Sequence, residues 1–314
     1  MIKKVLIADN VHRVMLENFE KAGFTCVLKP DITQAEVDSE IESYFGIIIN
    51  SKTKMFADTI NKAKKLKFIG RLGSGMEIID VPHAKQKAIE CFSVPEGNKD
   101  AVAEHAIAML LSLFNNLNRA DKEVRNFIWE REKNRGIELG AKTIAIIGYG
   151  NTGKAIAKKL SGFGVKILAY DKYLENYSDE YVTETDMKTI FEKADVVSFH
   201  IPLTKETKYL CNKDFVNNFK KQIFIINTSR GAIVNLEEIY FQLISKKILG
   251  ACIDVFENEK PEHFNILEKK MYQRLYQLDS VILSPHIAGW TNESKFKIGN
   301  LLSKKIIKSI TKKT

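Results

Sequence analysis

The sequence predicts an α/β protein built from two doubly wound parallel sheets. Short runs rich in Val and Ile alternate with amphipathic helical stretches, which is the pattern of parallel α/β layers. The alternation occurs in two series, separated by a long apolar helical stretch that begins near Lys99. With 314 residues, the chain is long for one compact core and sufficient for two. We therefore expect two domains, each with its own sheet.

The first series contains five predicted strands, with helical patterns at residues 11–21 and 57–65. The strand sequences are VLIAD (5–9), TCVL (25–28), GIIIN (46–50), KFIGRLG (67–73) and IECFSV (89–94). No glycine follows the leading strand, so this series lacks the tight turn with which many α/β domains bind phosphate. We expect this domain not to hold a nucleotide.

The second series begins with a helix from about Lys99, apolar on most sides and therefore expected to be buried. A charged arm at residues 121–135 follows. The next strands are TIAIIG (143–148), KILAYD (166–171), DVVSFH (195–200), QIFIINT (222–228), GACIDVF (250–256) and SVILSPH (280–286). A last helix, at residues 292–310, is expected to return to the first series. The predicted domains are residues 1–97 with 288–314, and residues 98–287 inserted between them.

Composition narrows the class of protein. Hydrophobic residues make up 45% and charged residues 28%, a balance that supports a folded core and argues against disorder. No apolar run reaches the roughly 18–20 residues of a membrane helix, and the apolar run near the N-terminus is too short for a signal peptide. Four widely spaced cysteines without CxxC spacing indicate reduced thiols and no metal site. We expect a cytoplasmic protein without a membrane partner.

The net charge of +9 raises the alternative of nucleic-acid binding. The lysines are scattered, however, and only one local cluster is dense, formed by Lys304, Lys305, Lys308, Lys312 and Lys313. A solvated helix face explains this cluster, so we expect no nucleic-acid partner. A general positive field would still favour anionic metabolites and cofactors.

A glycine-rich turn marks the predicted nucleotide site. Gly148, Gly150 and Gly153 form a GxGxxG pattern between a strand and a helix predicted at residues 154–160, and Asp171 ends the next strand. Such glycines permit a tight turn, close approach of a pyrophosphate and close helix–strand packing. An acid at Asp171 would accept hydrogen bonds from the adenosine ribose and repel a 2′-phosphate. The motif therefore predicts a Rossmann domain that binds NAD in preference to NADP.

Three reactive side chains follow three predicted strands of the same series. Arg230, Glu259 and His286 come after QIFIINT, GACIDVF and VILSP, and the carboxyl ends of parallel strands lie at one edge of a sheet. An arginine can bind a carboxylate with its planar fork, and a histidine can transfer a proton near neutral pH. A carboxylate beside the histidine would fix its tautomer. These residue types suit hydride transfer to or from a 2-hydroxy acid, although each taken alone also has a purely structural interpretation.

Motifs over nearly the whole chain resemble the D-2-hydroxyacid dehydrogenase family, and within it the short D-3-phosphoglycerate dehydrogenases. They are GRLGSGMEIIDV (70–81), GNKDAVAEHAIAMLLSL (97–113), AIIGYGNTGKAIAKKLSGFGVKILAYD (145–171), SFHIPLTKETKYL (198–210), INTSRGAIVN (226–235), DVFENEKP (254–261) and SPHIAGW (284–290). The resemblance implies a Rossmann NAD-binding domain inserted in a flavodoxin-like substrate domain. It also implies a homodimer, formed by the helix after Gly97 and the arm near Trp129.

The resemblance assigns roles to individual positions. Catalysis would fall to Arg230, Glu259 and His286, and the small anionic 2-hydroxy or 2-keto acid would be bound by Ser74, Gly75, Arg71, Lys52 and Arg230. Backbone N–H groups at Ser74 and Gly75 would receive the substrate carboxylate. The implied cofactor contacts are Gly148, Gly150, Asn151, Thr152, Gly153, Asp171, His200, Ile201, Pro202, Thr228, Ser229, Arg230, Asp254, His286 and Gly289.

The sequence departs from the phosphoglycerate dehydrogenase pattern at several points. Asn50 replaces an arginine that such enzymes tend to have, the 260–285 segment is longer than usual, and no serine-sensing C-terminal domain is expected after the last helix. Three hypotheses remain open. In the first hypothesis, the chain is a phosphoglycerate dehydrogenase of serine biosynthesis, with Arg71 and Lys52 at the phosphate. In the second hypothesis, it is a reductase of glyoxylate, hydroxypyruvate or another small 2-keto acid. The third hypothesis is a nucleotide-sensing protein without turnover.

Overall fold

The structure is a computed structural model, and it describes residues 3–312. Its strands are β1 (Lys3–Ile7), β2 (Phe24–Leu28), β3 (Gly46–Ile49), β4 (Phe68–Arg71), β5 (Glu90–Phe92), β6 (Thr143–Ile147), β7 (Lys166–Tyr170), β8 (Thr183–Glu184), β9 (Val196–Phe199), β10 (Ile223–Asn227), β11 (Ile248–Ile253) and β12 (Val281–Leu283). Its α-helices are α1 (Arg13–Lys21), α2 (Gln34–Glu40), α3 (Ala57–Lys62), α4 (Val81–Gln86), α5 (Lys99–Phe114), α6 (Leu117–Arg125), α7 (Asn151–Leu160), α8 (Met187–Lys193), α9 (Lys213–Asn217), α10 (Leu236–Ile244), α11 (Ile266–Tyr276) and α12 (Asn292–Thr311). They divide into two compact units. The first unit holds the described residues up to Lys99 and from Trp290 onward, and the second unit is Asp100–Gly289.

The first unit is a five-stranded parallel sheet in the order β2-β1-β3-β4-β5. Successive side chains of a strand point to opposite faces, and here Leu6 joins one buried core while Val5 and Ile7 join another. Helix α12 supplies Leu302 and Ile306 to the second of these cores. Both faces of the sheet are therefore covered, and the strand order is the flavodoxin-like one.

The second unit is a seven-stranded parallel sheet in the order β12-β11-β10-β9-β6-β7-β8. Ala145 and Ile147 of β6 face one core, and Ile144 and Ile146 face the other. The direction of winding reverses between β6 and β9, which is the topological switch point at which α/β sheets bind ligands. This is the Rossmann order, so the predicted fold class is confirmed.

Two elements of the second unit differ from the sequence prediction. Helix α7 begins at Asn151 rather than at residue 154, because Gly150 already serves as its N-cap. The 260–285 segment, for which no helix was predicted, contains α11, which a capping box at Asn265 initiates. Tyr272 and Leu275 of this helix are buried in the core of the unit. The long segment thus packs onto the core.

The remaining structural expectations concern membranes, metals and cysteines. Within residues 3–312, no helix is both long and apolar enough to span a membrane. The same residues contain no cluster of three His, Cys, Asp or Glu side chains that could hold a metal ion. All four cysteines are free, and burial raises the pKa of Cys26 and of Cys91 to about 11. Lys313, the last lysine of the basic cluster, lies outside the described residues.

Candidate active site

The glycine turn after β6 is shaped by contacts that exclude side chains at two of its three glycines. Gly148 has a φ of +93°, and a Cβ there would collide with the carbonyl of His200. A Cβ at Gly153 would collide with the carbonyl of Gly148, so this glycine lets α7 pack closely on the turn. At Gly150, in contrast, apart from the glycine itself and its two chain neighbours, no atom of residues 3–312 lies within 4 Å of the position of a Cβ. The open space at Gly150 leaves room for a ligand beside the turn.

Helix α7 presents unsatisfied donors to that space. Among residues 3–312, no side chain caps the helix at Gly150, and the N–H groups of Asn151, Thr152 and Gly153 have no hydrogen-bond partner. These N–H groups and the helix dipole together attract anions. The start of α7 therefore fits the pyrophosphate of a dinucleotide.

Asp171 follows β7 and is tied to the glycine turn. Its Oδ2 accepts a hydrogen bond from the N–H of Tyr149 at 2.8 Å, and its Oδ1 accepts from the N–H groups of Tyr173 and Leu174 at 2.9 and 3.2 Å. The carboxylate is half-buried, and Oδ2, which accepts one hydrogen bond, can accept a further one. Asp171 can thus receive a ribose hydroxyl while it holds the turn in place.

Two buried polar atoms at the same edge of the sheet have no partner within residues 3–312. They are Nδ1 of His200, which follows β9, and Oγ1 of Thr228, which follows β10. The other ring nitrogen of His200 lies 2.8 Å from Oγ of Ser198, and burial lowers the pKa of His200 to about 4. A buried polar atom without a partner costs about 1–3 kcal/mol, which a bound ligand can recover. Together with the glycine turn, these atoms fit a dinucleotide cofactor; Ile201 and Pro202 continue the same loop.

The loop after β10 positions Arg230 through a buried asparagine. Asn227 is 1% exposed; its Nδ2 donates to the carbonyl of Arg230 at 3.0 Å and its Oδ1 accepts from the N–H of Ser229 at 3.1 Å. The Ser229 hydroxyl donates to the last carbonyl of β9. A Cβ at Gly231 would collide with the backbone that follows β11, so this glycine lets the two loops approach closely.

Glu259 and His286 form a hydrogen-bonded pair. Oε2 of Glu259 lies 2.8 Å from Nδ1 of His286, and its Oε1 accepts from the N–H of Phe256 at 3.3 Å. Burial alone would raise the pKa of Glu259, but the hydrogen bond from His286 and the charges of His286 and Arg230 outweigh burial and lower it. The carboxylate is therefore ionised at neutral pH. His286 is 47% exposed, and its Nε2 has no hydrogen-bond partner within residues 3–312.

Asp254 holds the turn that carries His286. His286 has a φ of +56°, a left-handed conformation that costs a residue with a side chain about 1–2 kcal/mol. Asp254 is fully buried, and its carbonyl accepts the N–H of His286 at 2.7 Å. Its two carboxylate oxygens accept the N–H groups of Ile287 and Ala288, each at 2.9 Å, and Oδ1 also accepts the Ser284 hydroxyl at 2.5 Å. This network fixes the unusual backbone of the turn, after which Gly289 ends the unit.

Sequence reasoning did not single out Asn227 and Ser284, which organise these two loops. It also missed His105 of α5, whose Nε2 lies 2.8 Å from Oγ of Ser284. One signal was available for His105, since it is the lone histidine in a helix that is otherwise largely apolar. No local signal marks Asn227, whose role depends on burial.

The predicted substrate residues of the first unit are held by neighbours of that unit. Oγ of Ser74 donates to Oδ1 of Asn98 at 3.3 Å, and Gly75 continues the same loop. Nη1 of Arg71 donates to the carbonyl of Leu72 at 2.9 Å. The ammonium of Lys52 donates to the carbonyl of Pro30. These bonds direct Arg71 and Lys52 to different carbonyls and do not join them at one point.

Comparison with known proteins identifies relatives over most of the chain. The family model of the D-isomer specific 2-hydroxyacid dehydrogenase NAD-binding domain matches residues 107–288. A D-3-phosphoglycerate dehydrogenase of Archaeoglobus fulgidus is 34% identical over 306 residues, which are 97% of this chain and 56% of that protein. A hydroxypyruvate reductase of Thermotoga maritima is 35% identical over 264 residues, which are 84% of each. The chain thus spans about half the length of the phosphoglycerate dehydrogenases it matches and most of the length of this reductase.

A solved structure agrees with these relatives. The D-lactate dehydrogenase of Aquifex aeolicus, complexed with NAD and lactic acid, is 26% identical, with a TM-score of 0.83 over 99% of this chain and 96% of that one. The expected NAD-binding domain is confirmed, as is the resemblance drawn from the motifs. The chain belongs to the D-isomer specific 2-hydroxyacid dehydrogenase family.

Proposed function

We propose that this protein interconverts D-3-phosphoglycerate and 3-phosphohydroxypyruvate with NAD, as a cytoplasmic enzyme of serine biosynthesis. The observation that carries an oxidoreductase activity is the Glu259–His286 pair, 2.8 Å apart, in the unit that also carries the glycine turn. A protein that only senses a nucleotide has no need of an oriented proton acceptor.

Each residue of the proposed site has a separate task. Nε2 of His286 would take the proton of the substrate hydroxyl, because Nδ1 is engaged by Glu259. The ionised Glu259 would stabilise the positive charge that His286 then carries. Arg230 would bind the carboxylate and the C2 oxygen with its guanidinium. Bound NAD would accept the hydride that leaves C2.

The named relatives and the cations of the first unit bear on which acid is the substrate. Several relatives are named D-3-phosphoglycerate dehydrogenase, and Arg71 offers a half-buried cation in the first unit. The second candidate substrate is hydroxypyruvate. The reductase relative matches this chain over 84% of both lengths, and Asn50 and the Lys52 hydrogen bond leave fewer cations for a phosphate.

Substrate preference can be tested directly. NADH formation should be followed with D-3-phosphoglycerate and with D-glycerate in separate assays, and NADH consumption with hydroxypyruvate and glyoxylate. We expect a kcat/KM for D-3-phosphoglycerate at least about tenfold above that for D-glycerate, because a phosphate-binding cation contributes on the order of 1.4 kcal/mol or more. Turnover of the unphosphorylated acids alone would replace phosphoglycerate by hydroxypyruvate as the substrate. NAD binding without turnover of any acid would refute the catalytic proposal.

The catalytic role of Glu259 has a matched control in the same loop region. Glu259→Gln keeps the size and a hydrogen-bond acceptor but removes the charge beside His286. We expect kcat/KM to fall by about 100-fold, within the range attributed to general acid–base groups. Glu262→Gln changes an exposed carboxylate that lies 3.9 Å from His263, and it should leave the rate unaltered. Equal rates for the two variants would exclude Glu259 from the reaction.

We also propose that the protein is a homodimer whose interface is formed by helix α5, which follows Gly97, and by helix α6 with the charged arm at residues 121–135. Phe127 is 100% exposed and Trp129 is 77% exposed, and Leu117 and Val124 are each more than half exposed. A group of large apolar side chains on one surface marks an interaction site. Light scattering should give twice the chain mass, and Phe127→Glu should yield monomers. A monomeric parent protein would refute this proposal.

A further inference from the structure

His105 connects helix α5 to the turn that carries His286. His105 lies in the middle of this helix, whose buried residues are Ala, Val, Ile, Met, Leu and Phe. The His105 side chain is 25% exposed. Its Nε2 lies 2.8 Å from Oγ of Ser284 and 3.6 Å from Oδ1 of Asp254. Within residues 3–312, the one hydrogen bond of the His105 imidazole is the bond to Ser284. The polar contact of this imidazole is therefore with Ser284, which follows β12 and precedes His286 by two residues.

The direction of the hydrogen bonds follows from the proton inventory of the three side chains. The Ser284 hydroxyl has one proton, and an ionised carboxylate has none. The 2.5 Å contact between Oγ of Ser284 and Oδ1 of Asp254 therefore requires Ser284 to donate to Asp254. Ser284 has then no proton left for the imidazole, so Nε2–H of His105 donates to Ser284. The result is a directed chain from His105 through Ser284 to Asp254.

The chain ends on the carboxylate that shapes the turn. Oδ1 of Asp254 receives the Ser284 hydroxyl and also the N–H of Ile287, while Oδ2 receives the N–H of Ala288. Removing one donor would let the carboxylate rotate toward another position. Such a rotation would loosen the turn at His286, whose φ is +56°. It would thereby also loosen the 2.8 Å contact between His286 and Glu259.

We infer that His105 is a positioning residue for His286: its Nε2–H fixes Ser284 and Asp254, and they hold the turn in which Nδ1 of His286 meets Glu259. The inference rests on the proposed function for its kinetic consequence, since it assumes that His286 transfers the proton. Its structural consequence, the orientation and tautomer of the His286 ring, does not depend on which substrate is turned over.

Three variants isolate the donor at position 105. His105→Leu removes the donor and puts an apolar side chain of similar bulk in place of the ring. His105→Gln places an amide N–H donor near the position of Nε2 and should restore the bond. Glu104→Gln, next to it on the same helix, alters an exposed carboxylate that pairs with Lys159, and serves as the control.

The kinetic result expected is a loss of kcat without loss of cofactor binding. We expect His105→Leu to lower kcat about tenfold, which corresponds to about 1.4 kcal/mol, while the dissociation constant of NADH changes less than about twofold. His105→Gln should recover kcat to within about threefold of the parent, and Glu104→Gln should match the parent. A kcat unchanged in His105→Leu would overturn the inference. Equal losses of kcat in the Leu and Gln variants would also overturn it, because they would indicate a requirement for ring packing.

A second measurement is independent of turnover. The chain has six histidines, so the ring nitrogen signals of His286 can be assigned in ¹⁵N spectra by single substitutions. In the parent, the Glu259 contact should hold neutral His286 with its proton on Nδ1; in His105→Leu, a substantial fraction should shift to the Nε2–H tautomer. An unchanged His286 tautomer in His105→Leu refutes the positioning role even if every acid is turned over. A shifted tautomer in a protein that turns over no acid supports the positioning role and refutes the proposed function alone.

Discussion

The buried His200 imidazole should make the free energy of unfolding depend on pH. Burial lowers the pKa of His200 to about 4, whereas a histidine in an unfolded chain titrates near about 6.5. Between these two values the unfolded chain binds a proton that the folded chain does not bind. Stability therefore rises with pH across this window. The contribution is fully present above about pH 6.5 and is lost progressively as the pH falls toward about 4.

The size of the effect follows from the width of the window. From about pH 6.5 to about pH 5, the loss extends over about 1.5 pH units at about 1.4 kcal/mol each, or about 2 kcal/mol in total. His200→Gln removes the titrating ring and keeps a polar group near Ser198, to which Nε2 of His200 is bonded at 2.8 Å. All other titrating groups are common to both proteins, so the difference between them isolates His200.

The assay is urea unfolding followed by far-ultraviolet circular dichroism at about pH 7 and about pH 5. The parent should lose about 2 kcal/mol more than His200→Gln between these two conditions. His263→Gln, which removes a histidine whose side chain is 67% exposed, should behave like the parent. If the parent and His200→Gln lose the same free energy, the ring is protonated in the folded state and the reasoning from burial is wrong.

Three further predictions concern the glycine turn and helix α11. Gly153→Ala should weaken NADH binding at least about tenfold in a fluorescence titration, because its Cβ would meet the carbonyl of Gly148. At Gly162, no atom of the described residues beyond its two chain neighbours lies within 4 Å of an added Cβ, so Gly162→Ala should bind NADH like the parent. Tyr272→Ala should lower the free energy of unfolding by about 3–5 kcal/mol, because Tyr272 is 2% exposed. Tyr276→Ala should lower it much less, because Tyr276 is half-exposed. Asn265→Ala should cost about 1 kcal/mol, measured by the same urea unfolding, because it removes the N-cap of α11.

The sheets could be predicted because their strands depend on local pattern. Runs such as TIAII of β6 are apolar at consecutive positions, as expected for strands covered on both faces, and turn residues bound them. Helix α11 was not predicted, since its apolar side chains are mixed with Glu, Lys, Gln and Arg and its hydrophobic face is narrow. Its capping box, Asn265 with Glu268, was the one local signal available for it.

The candidate site likewise has residues that the sequence could predict and contacts that it could not. Sequence reasoning could place Arg230, Glu259 and His286 at one edge of the sheet, because parallel strands bring their carboxyl ends together. It could not find the hydrogen bond between His105 and Ser284, which are 179 positions apart and meet through tertiary packing. Nor could it predict that the Lys52 ammonium binds a backbone carbonyl, because a long exposed side chain has many rotamers of similar energy.

The left-handed backbone at His286 limits how an inactive form of this protein should be made. Under the proposed function, a variant that traps substrate must lose the proton acceptor at His286 and keep the turn unaltered, yet the φ of +56° is poorly tolerated by most residues and worst by β-branched ones. His286→Val would combine the chemical loss with local backbone strain, and weak binding could then be misread as loss of a contact. Asparagine adopts this region readily and cannot accept the proton as imidazole does. His286→Asn is therefore the substitution suited to capturing a bound substrate for crystallography.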